Sequence, residues 1–285
     1  AEGLDVQVRD FAGGALALQA VHDGVAHVCS GAYEHTLRQQ TQGHDYRAFV
    51  VQGRAPQQAL GVSVRALPGY RRPADLRGRR IGVSAPGSST QVMASVLLAR
   101  AGVDAREVSF VGVGTGATAV AALRTGRVHA LCHADPIMSL LEHRGEVRLV
   151  SDLRTLTAAQ ELFGGAMPAS CLYAPQAFLH KEPMVAQALT NAIVHALKWL
   201  QTASPADLIK AVPASYVLGD RAVYLAAFNR VRETFSPNGL MPEDGPATAL
   251  RALAQAYPHM ASPRVSLPRT FTDDLARKAR QKFGV

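Results

Sequence analysis

The sequence predicts an α/β fold in two similar lobes that enclose a cleft. Residues 79–84 have the pattern of an apolar strand, which leads through a polar turn into an Ala- and Leu-rich helix over 89–101. A second helix–Gly–strand–turn unit appears when Gly24 is aligned with Gly126. The length of 285 residues exceeds that of an average single domain. It suits two lobes, with one large α/β domain as the alternative.

The first part of the chain alternates strand and helix patterns. Residues 4–11 alternate apolar and polar side chains, as a half-buried strand does. Further strands are predicted at 25–29, 46–52 and 59–67, and helices at 15–22 and 33–40. The segment 68–73, Pro-Gly-Tyr-Arg-Arg-Pro, has the composition of a linker.

The alternation continues beyond this linker. Strands are predicted at 81–84, 108–113, 128–132 and 147–150, and helices at 117–124 and from 133–136 onward. A strand at 170–174 crosses back, and helices follow at 183–201, 206–212, 221–234, 248–257 and 269–283. Such alternation implies a parallel sheet, whose ligands bind at the carboxyl ends of the strands. This rule selects the turns at 30–31, 86–90, 114–115 and 133–136.

Charge and apolarity exclude two classes of function. The net charge is +8, and the basic excess is almost all arginine, since no lysine precedes Lys181. An arginine cluster at 71–80 is either a nucleic-acid patch or a solvated linker. The linker is favoured because no aromatic platform or nucleic-acid motif accompanies the cluster, so no nucleic-acid partner is predicted. No apolar run approaches the ~18 residues of a membrane span.

The candidate nucleophiles and metal ligands form no recognisable set. The three cysteines lie far apart without a C-x-x-C motif, which predicts buried free thiols and leaves one disulfide open. His27, His129 and His133 lack the spacing of metal ligands. No Gly-x-Ser-x-Gly or Cys–His–Asp order indicates nucleophilic catalysis. The sequence therefore predicts no catalytic residue, no metal and no cofactor.

Four segments follow one another in a characteristic order. They are residues 2–6 with Gly13-Gly14, residues 75–83 (DLRGRRIGV), residues 122–130 (ALRTGRVHA) and residues 185–200. Together they resemble the solute-binding proteins of ABC importers in the nitrate, sulfonate, taurine and thiamine-precursor group. The resemblance implies a type II periplasmic-binding fold, with two crossing hinge strands and a ligand cleft between the lobes. It assigns 1–66 and 175–285 to the first lobe, without its usual leading strand and helix, and 67–174 to the second.

The resemblance and the strand-end rule together select nine candidate ligand-binding residues: Ser30, Gly31, Gln52, Ser88, Ser89, Thr90, Gly114, Thr115 and Asp135. Residues 88–90 match the family's ligand-binding helix start, where backbone N–H groups attract anions, or they form an ordinary N-cap. Ser30 and Gly31 hold the equivalent place in the first lobe or form only a tight turn. Asp135 pairs with a ligand cation, pairs with an arginine across the cleft, or caps the next helix.

The resemblance implies a monomeric periplasmic receptor, its signal peptide removed, that delivers a small polar or anionic solute to an ABC permease. Sulfonates, carboxylates, nitrate-like anions and pyrimidines are the expected solutes, and hinged closure is the expected motion. The alternative is an enzyme of the thiamine-pyrimidine synthase type, which joins a lysine to pyridoxal phosphate. The absence of lysine before Lys181 excludes that Schiff base in the predicted cleft. A third reading, the sensing domain of a transcription regulator, lacks a visible helix-turn-helix segment.

Overall fold

The computed structural model describes residues 2–261 and 265–285. Within these ranges the strands are β1 Cys29–Ala32, β2 Tyr46–Val51, β3 Gln58–Ser63, β4 Arg80–Val83, β5 Ser109–Gly112, β6 Ala130–Ala134, β7 Val147–Asp152 and β8 Ser170–Pro175. They form a three-stranded sheet in the order β1-β8-β2 and a five-stranded sheet in the order β5-β4-β6-β3-β7. The predicted α/β architecture is therefore present, and it contains two sheets.

Helices connect and cover these strands. They are α1 Gly14–His22, α2 Glu34–Thr41, α3 Ser89–Arg100, α4 Ala117–Arg124, α5 Ile137–His143, α6 Leu156–Phe163, α7 Gln176–Lys181, α8 Pro183–Thr202, α9 Pro205–Ala211, α10 Ala214–Val217, α11 Arg221–Val231, α12 Gly245–Ala256 and α13 Asp274–Phe283. Short 3₁₀ turns lie at Pro73–Leu76, Ala105–Glu107, Arg232–Thr234, Pro258–Ala261 and Leu267–Arg269. Most predicted elements match these bounds to within one to three residues.

The sheets are mixed, whereas the sequence predicts a parallel sheet. In the five-stranded sheet, β4 runs parallel to β5 and β6, but β3 is antiparallel to both of its neighbours. In the other sheet, β8 lies antiparallel between β1 and β2. Both β3 and β8 arrive from the opposite sheet. A helical crossover makes successive strands of one sheet parallel, but β3 and β8 do not follow such a crossover within their own sheets. Their antiparallel direction is therefore not predicted by strand–helix alternation.

The chain crosses between the sheets twice, over 52–57 and over 153–169. These crossings differ from the boundaries at 66 and 175 that the sequence predicts, because β3 belongs to the five-stranded sheet and β8 to the three-stranded one. An apolar run such as that of β3 gives no sign of which sheet it joins, since burial is similar in either. The linker composition of 68–73 marks a turn inside the second lobe.

Residues 4–11 are not a strand, so that prediction is wrong. They form an extended segment without sheet pairing, and the side chain of Val8 is 84% exposed. Alternation of apolar and polar residues builds a strand only where a partner strand supplies hydrogen bonds and a buried face. The nearby Glu2 carboxylate instead accepts hydrogen bonds from Asn191 at 3.1 Å and from Lys282 at 2.7 Å.

One apolar cluster extends across both sheets. It includes Leu37 of α2, Val51 of β2, Ile81 of β4, Val92 of α3 and Leu253 of α12. Helix α3 is buried along most of its length and packs against α12. This packing holds α3 against α12 through residues such as Ser95 and Arg100.

Candidate ligand site

One edge of the five-stranded sheet lies against helices α1 and α2 of the first lobe. In the five-stranded sheet, parallel β4, β5 and β6 end at a common edge, and α3 begins directly after β4. Two hydrogen bonds connect this edge to the first lobe: the Ala15 N–H donates to Ser88 Oγ at 2.9 Å, and Arg38 donates to the Gly87 carbonyl at 2.8 Å. The strand-end rule thus selects at least one turn, 86–90, that lies at the contact between the lobes.

The three hydroxyl residues at the start of α3 have different partners. Ser88 is the N-cap residue, but its side chain caps no N–H of its own helix and instead accepts the bond from Ala15. Ser89 Oγ accepts a hydrogen bond from the Gln58 amide at 2.9 Å. Thr90 Oγ1 accepts from the Ser84 N–H at 2.9 Å and is buried, so its hydroxyl holds the turn together. Ser89 is the half-buried member of the three.

Ser30 and Gln52 lie together in the first lobe. The Ser30 hydroxyl donates to Gln52 Oε1 at 3.2 Å, which joins the interior of β1 to the residue after β2. The prediction of a turn at 30–31 is wrong, because Ser30 and Gly31 pair with β8 as part of β1. At Gly31, a Cβ atom would lie 3.0 Å from the Tyr173 hydroxyl oxygen and 3.2 Å from Cys29 Sγ. Glycine at this position therefore relieves crowding around Tyr173, whatever its role toward a ligand.

Gly114 and Thr115 form the turn after β5. Gly114 has a φ of +77°, and a Cβ atom there would lie 2.8 Å from Thr118 Oγ1, so the position requires glycine. Its N–H donates to the Ser84 carbonyl at 3.0 Å, and its carbonyl oxygen lies 2.9 Å from His133 Nε2. Thr115 is exposed. This turn therefore lies beside the turn that leads into α3.

Asp135 pairs with an arginine of its own lobe. Its Oδ1 accepts hydrogen bonds from the Ser139 N–H at 2.8 Å and from Arg154 at 3.2 Å. One of the predicted partners of Asp135 was an arginine across the cleft. The observed partner, Arg154, instead lies two residues after the end of β7. The other oxygen, Oδ2, is buried and has no hydrogen-bond partner among the described residues.

Arg154 is the centre of a buried ion cluster that the sequence did not reveal. Its side chain is fully buried and contacts Asp152 at 2.7 Å, Glu142 at 2.9 Å and Asp135 at 3.2 Å. Arg230 of α11 donates to Glu142 at 2.6 Å. Burial acts to lower the pKa of Arg154, but its carboxylate partners more than offset this and raise that pKa.

Two further residues at the lobe contact have unpartnered acceptors. Glu34, in the first turn of α2, is 2% exposed, and within the described chain its Oε1 accepts no hydrogen bond. Burial raises the pKa of Glu34, while the nearby Ser89 hydroxyl acts in the opposite direction. Gln58 binds Ser89 through its nitrogen, and its Oε1 is buried without a partner in the described ranges. Applying the strand-end rule to every polar residue after β1 would have found Glu34.

Two cavities border this region. A cavity of about 260 Å³ lies between α1 and α2, with His22, His35, Arg38 and Gly87 in its wall. A second cavity, of about 150 Å³, lies between the start of α5 and α11 and contains Asp135 in its wall. Neither cavity is lined by Ser89. In the described part of the chain, no group of three or more His, Cys, Asp or Glu side chains is arranged to hold a metal ion.

His35 predicts a loss of stability in mild acid. Its Nδ1 lies 2.8 Å from the Tyr173 hydroxyl, and burial, assisted by Arg38, lowers its pKa to about 4. The neutral ring contributes its full stability above the unfolded pKa of about 6.5, and this contribution is lost as the pH falls toward 4. A shift of this size corresponds to about 3 kcal/mol. Urea unfolding at a series of pH values measures it.

The matched variants for this measurement are His35→Gln and His27→Gln. The first removes the titrating ring, so its stability should fall less than that of the wild type between pH 6.5 and 4. The second removes an exposed histidine, so its free energy of unfolding should change with pH as that of the wild type does. If the free energy of unfolding falls with pH equally in His35→Gln and the wild type, His35 is not the group that causes the loss.

Comparison with known proteins identifies the family. The family model described as "NMT1/THI5 like" matches residues 1–206, which is more than half of the chain. The chain belongs to the NMT1/THI5-like family. A solved protein from Bordetella bronchiseptica RB50 is 53% identical, with a TM-score of 0.98 over 100% of this chain and 89% of that chain. No curated protein matches the chain.

More distant structures show the fold of this NMT1/THI5-like protein. The alkanesulfonate-binding protein SsuA from Xanthomonas axonopodis pv. citri, bound to MOPS, has a TM-score of 0.65 at 21% identity, over 92% of this chain and 86% of its own. The periplasmic nitrate-binding protein NrtA from Synechocystis PCC 6803 has a TM-score of 0.70 at 13% identity, over 95% of this chain and 79% of its own. A desulfurization enzyme, DSZB, is less similar in structure, with a TM-score of 0.55 at 17% identity, over 90% of this chain and 85% of its own. The predicted periplasmic-binding fold is confirmed.

Among residues 2–261 and 265–285, no helix combines the length and the apolarity needed to cross a bilayer.

Proposed function

We propose that this NMT1/THI5-like protein is an extracytoplasmic, monomeric receptor that binds a small polar solute between its lobes and passes it to an ABC permease. The family and the shared fold support this proposal. The observation that carries it is the contact between the lobes at the start of α3, where Ser88 binds Ala15 of α1 and Ser89 lies beside the buried Glu34 carboxyl group. Binding and release require no bond to be made or broken.

The nine residues selected from the sequence are proposed as the ligand-binding set, and Ser89 has the central place among them. The lobes meet beside it, and the unpartnered oxygens of Glu34 and Gln58 lie near its hydroxyl. A buried acceptor without a partner costs free energy, and a donor group from a bound solute removes that cost. Sulfonates, carboxylates, nitrate-like anions and pyrimidines remain the solute classes to test.

An enzyme on this fold is the alternative, as the desulfurization enzyme illustrates. The catalytic form considered from the sequence needs a lysine that joins pyridoxal phosphate. The first lysine of the chain is Lys181, in α7, and none of the residues that form the lobe contact is a lysine. This observation favours the receptor over that enzyme.

Thermal-shift screening with a panel of these solutes, followed by Ser89→Ala, tests the proposal. A bound solute at 100 times its Kd stabilises the protein by about 2.7 kcal/mol, which raises the Tm. Ser89→Ala should weaken binding of the best solute about tenfold, because the hydroxyl that orders Gln58 and Glu34 is lost. Ser109→Ala, an exposed serine at the start of β5, is the control and should bind as the wild type does.

Two results would contradict the proposal. If no solute in the panel raises the Tm, the receptor function fails. If a solute binds Ser89→Ala and the wild type equally well, binding occurs elsewhere and the proposed site fails. Calorimetry distinguishes these results, because it measures the affinity independently of the melting transition.

A further inference from the structure

The smaller of the two cavities has the composition of a site for a cation. It lies between the start of α5 and helix α11, with Gln57 and Asp135 on one side and Tyr224, Phe228 and Phe235 on the other. Its volume is about 150 Å³. An apolar cavity of this size in another protein holds a benzene molecule, so the space suits a compact organic group.

The carboxylate in this wall is buried and incompletely paired. The Asp135 side chain is 7% exposed, and its Oδ1 already accepts bonds from Ser139 and Arg154. Its Oδ2 has no hydrogen-bond partner in the described chain. An unpaired buried carboxylate oxygen is costly, and a ligand that brings a positive charge or a donor lowers this cost.

The ion cluster behind Asp135 does not neutralise the carboxylates fully. Three carboxylates, of Asp135, Glu142 and Asp152, face two guanidinium groups, of Arg154 and Arg230, which leaves a formal charge of −1. The unpartnered oxygen of this cluster belongs to Asp135, the residue that lines the cavity. The cluster therefore keeps a net negative charge beside the cavity.

Aromatic side chains form the opposite wall. Phe228 and Phe235 stack with ring centroids 5.8 Å apart, and Tyr224 lies one turn before Phe228 on α11. Arg232 already lies over the Phe228 ring at 4.9 Å, but it donates to the Ala203 carbonyl and does not line the cavity. Aromatic faces attract organic cations, most strongly where water is excluded.

We propose that this cavity binds a small organic cation of the alkylammonium or quaternary ammonium class, between Asp135 and the aromatic wall of α11. The inference rests on the proposed function, because it assigns this group to the solute that the lobes enclose. It narrows the solutes to those that carry a positive group, including zwitterions. Gln57, which lines the same wall, is fixed by its bond to Thr234 at 2.6 Å and gives the cavity a rigid edge.

Choline and its uncharged isostere 3,3-dimethyl-1-butanol are the probes that test this site. At constant ionic strength, choline should raise the Tm saturably and bind in calorimetry, while the alcohol should bind at least tenfold more weakly. Tyr224→Leu should weaken choline binding about fivefold. Tyr224→Phe keeps the aromatic face and should bind choline as the wild type does. Tyr216→Leu, an exposed tyrosine on α10, is the matched control and should bind choline as the wild type does.

Asp135→Asn gives the second test, with folding checked by circular dichroism because Asp135 also contacts Arg154. Loss of choline binding by at least tenfold in a folded variant supports the site. Equal binding of both probes, or choline binding that Tyr224→Leu leaves unchanged, overturns it. If choline has no effect while an anion of the solute panel raises the Tm, the cation site fails and the receptor function stands. A panel in which nothing binds contradicts both.

Discussion

Replacing Arg154 with Met is expected to lower the free energy of unfolding by about 3–5 kcal/mol. The guanidinium is fully buried and contacts three carboxylates, so its removal leaves the buried Asp135 without a cationic partner and Glu142 and Asp152 with Arg230 alone. Met retains much of the volume, so the effect reports charge rather than a cavity. Urea unfolding followed by circular dichroism measures the loss.

The control for this prediction is Arg106→Met. Arg106 pairs with Asp104 at 2.6 Å, but its side chain is 90% exposed, and exposed pairs contribute little. The two variants remove the same functional group from a buried and an exposed ion pair. Similar unfolding midpoints for both would show that the cluster around Arg154 does not stabilise the fold.

Replacing Gly13 with Ala is expected to weaken solute binding at least tenfold. A Cβ atom at Gly13 would lie 2.7 Å from Ser88 Oγ and 2.8 Å from Ala85 Cβ, closer than such atoms approach in proteins. The extended backbone of Gly13, with φ 173°, accepts alanine without strain. The added methyl therefore acts by pushing α1 away from the start of α3, which removes the Ala15–Ser88 bond and widens the contact between the lobes.

Calorimetry with the solute that gives the largest Tm increase in the panel measures this effect. Gly116→Ala is the matched control, since Gly116 is also an N-cap glycine and a Cβ atom there would meet no atom within 4 Å. A Gly13→Ala protein that binds as tightly as Gly116→Ala would show that the lobes need not touch at this point for binding.

Local patterns were sufficient to predict most helices and strands. Helix α4, over Ala117–Arg124, has the predicted bounds because Gly116 and Gly126 interrupt the apolar pattern on either side. The turn before α3 was predicted for the same reason. These elements depend on residues that are neighbours in the chain, which periodicity and turn composition report directly.

Pairing over long distances could not be predicted in this way. The membership of β3 in the second sheet depends on hydrogen bonds with β6 and β7, more than 60 residues away. The burial of Arg154 depends on carboxylates from α5, β7 and the turn after β6, none of which carries a local signal. Gln58 reaches Ser89 only because its strand crosses from the other sheet. The turns proposed to face the ligand were therefore easier to select than the side chains that support them.

The apolar cluster that continues from Leu37 through Val92 to Leu253 makes the two lobes one cooperative unit. Each lobe shares buried surface with the other, so neither keeps its full core when its partner melts. Heat should therefore produce a single calorimetric peak, and a protease that cuts within 153–169 should leave no half that stays native by itself.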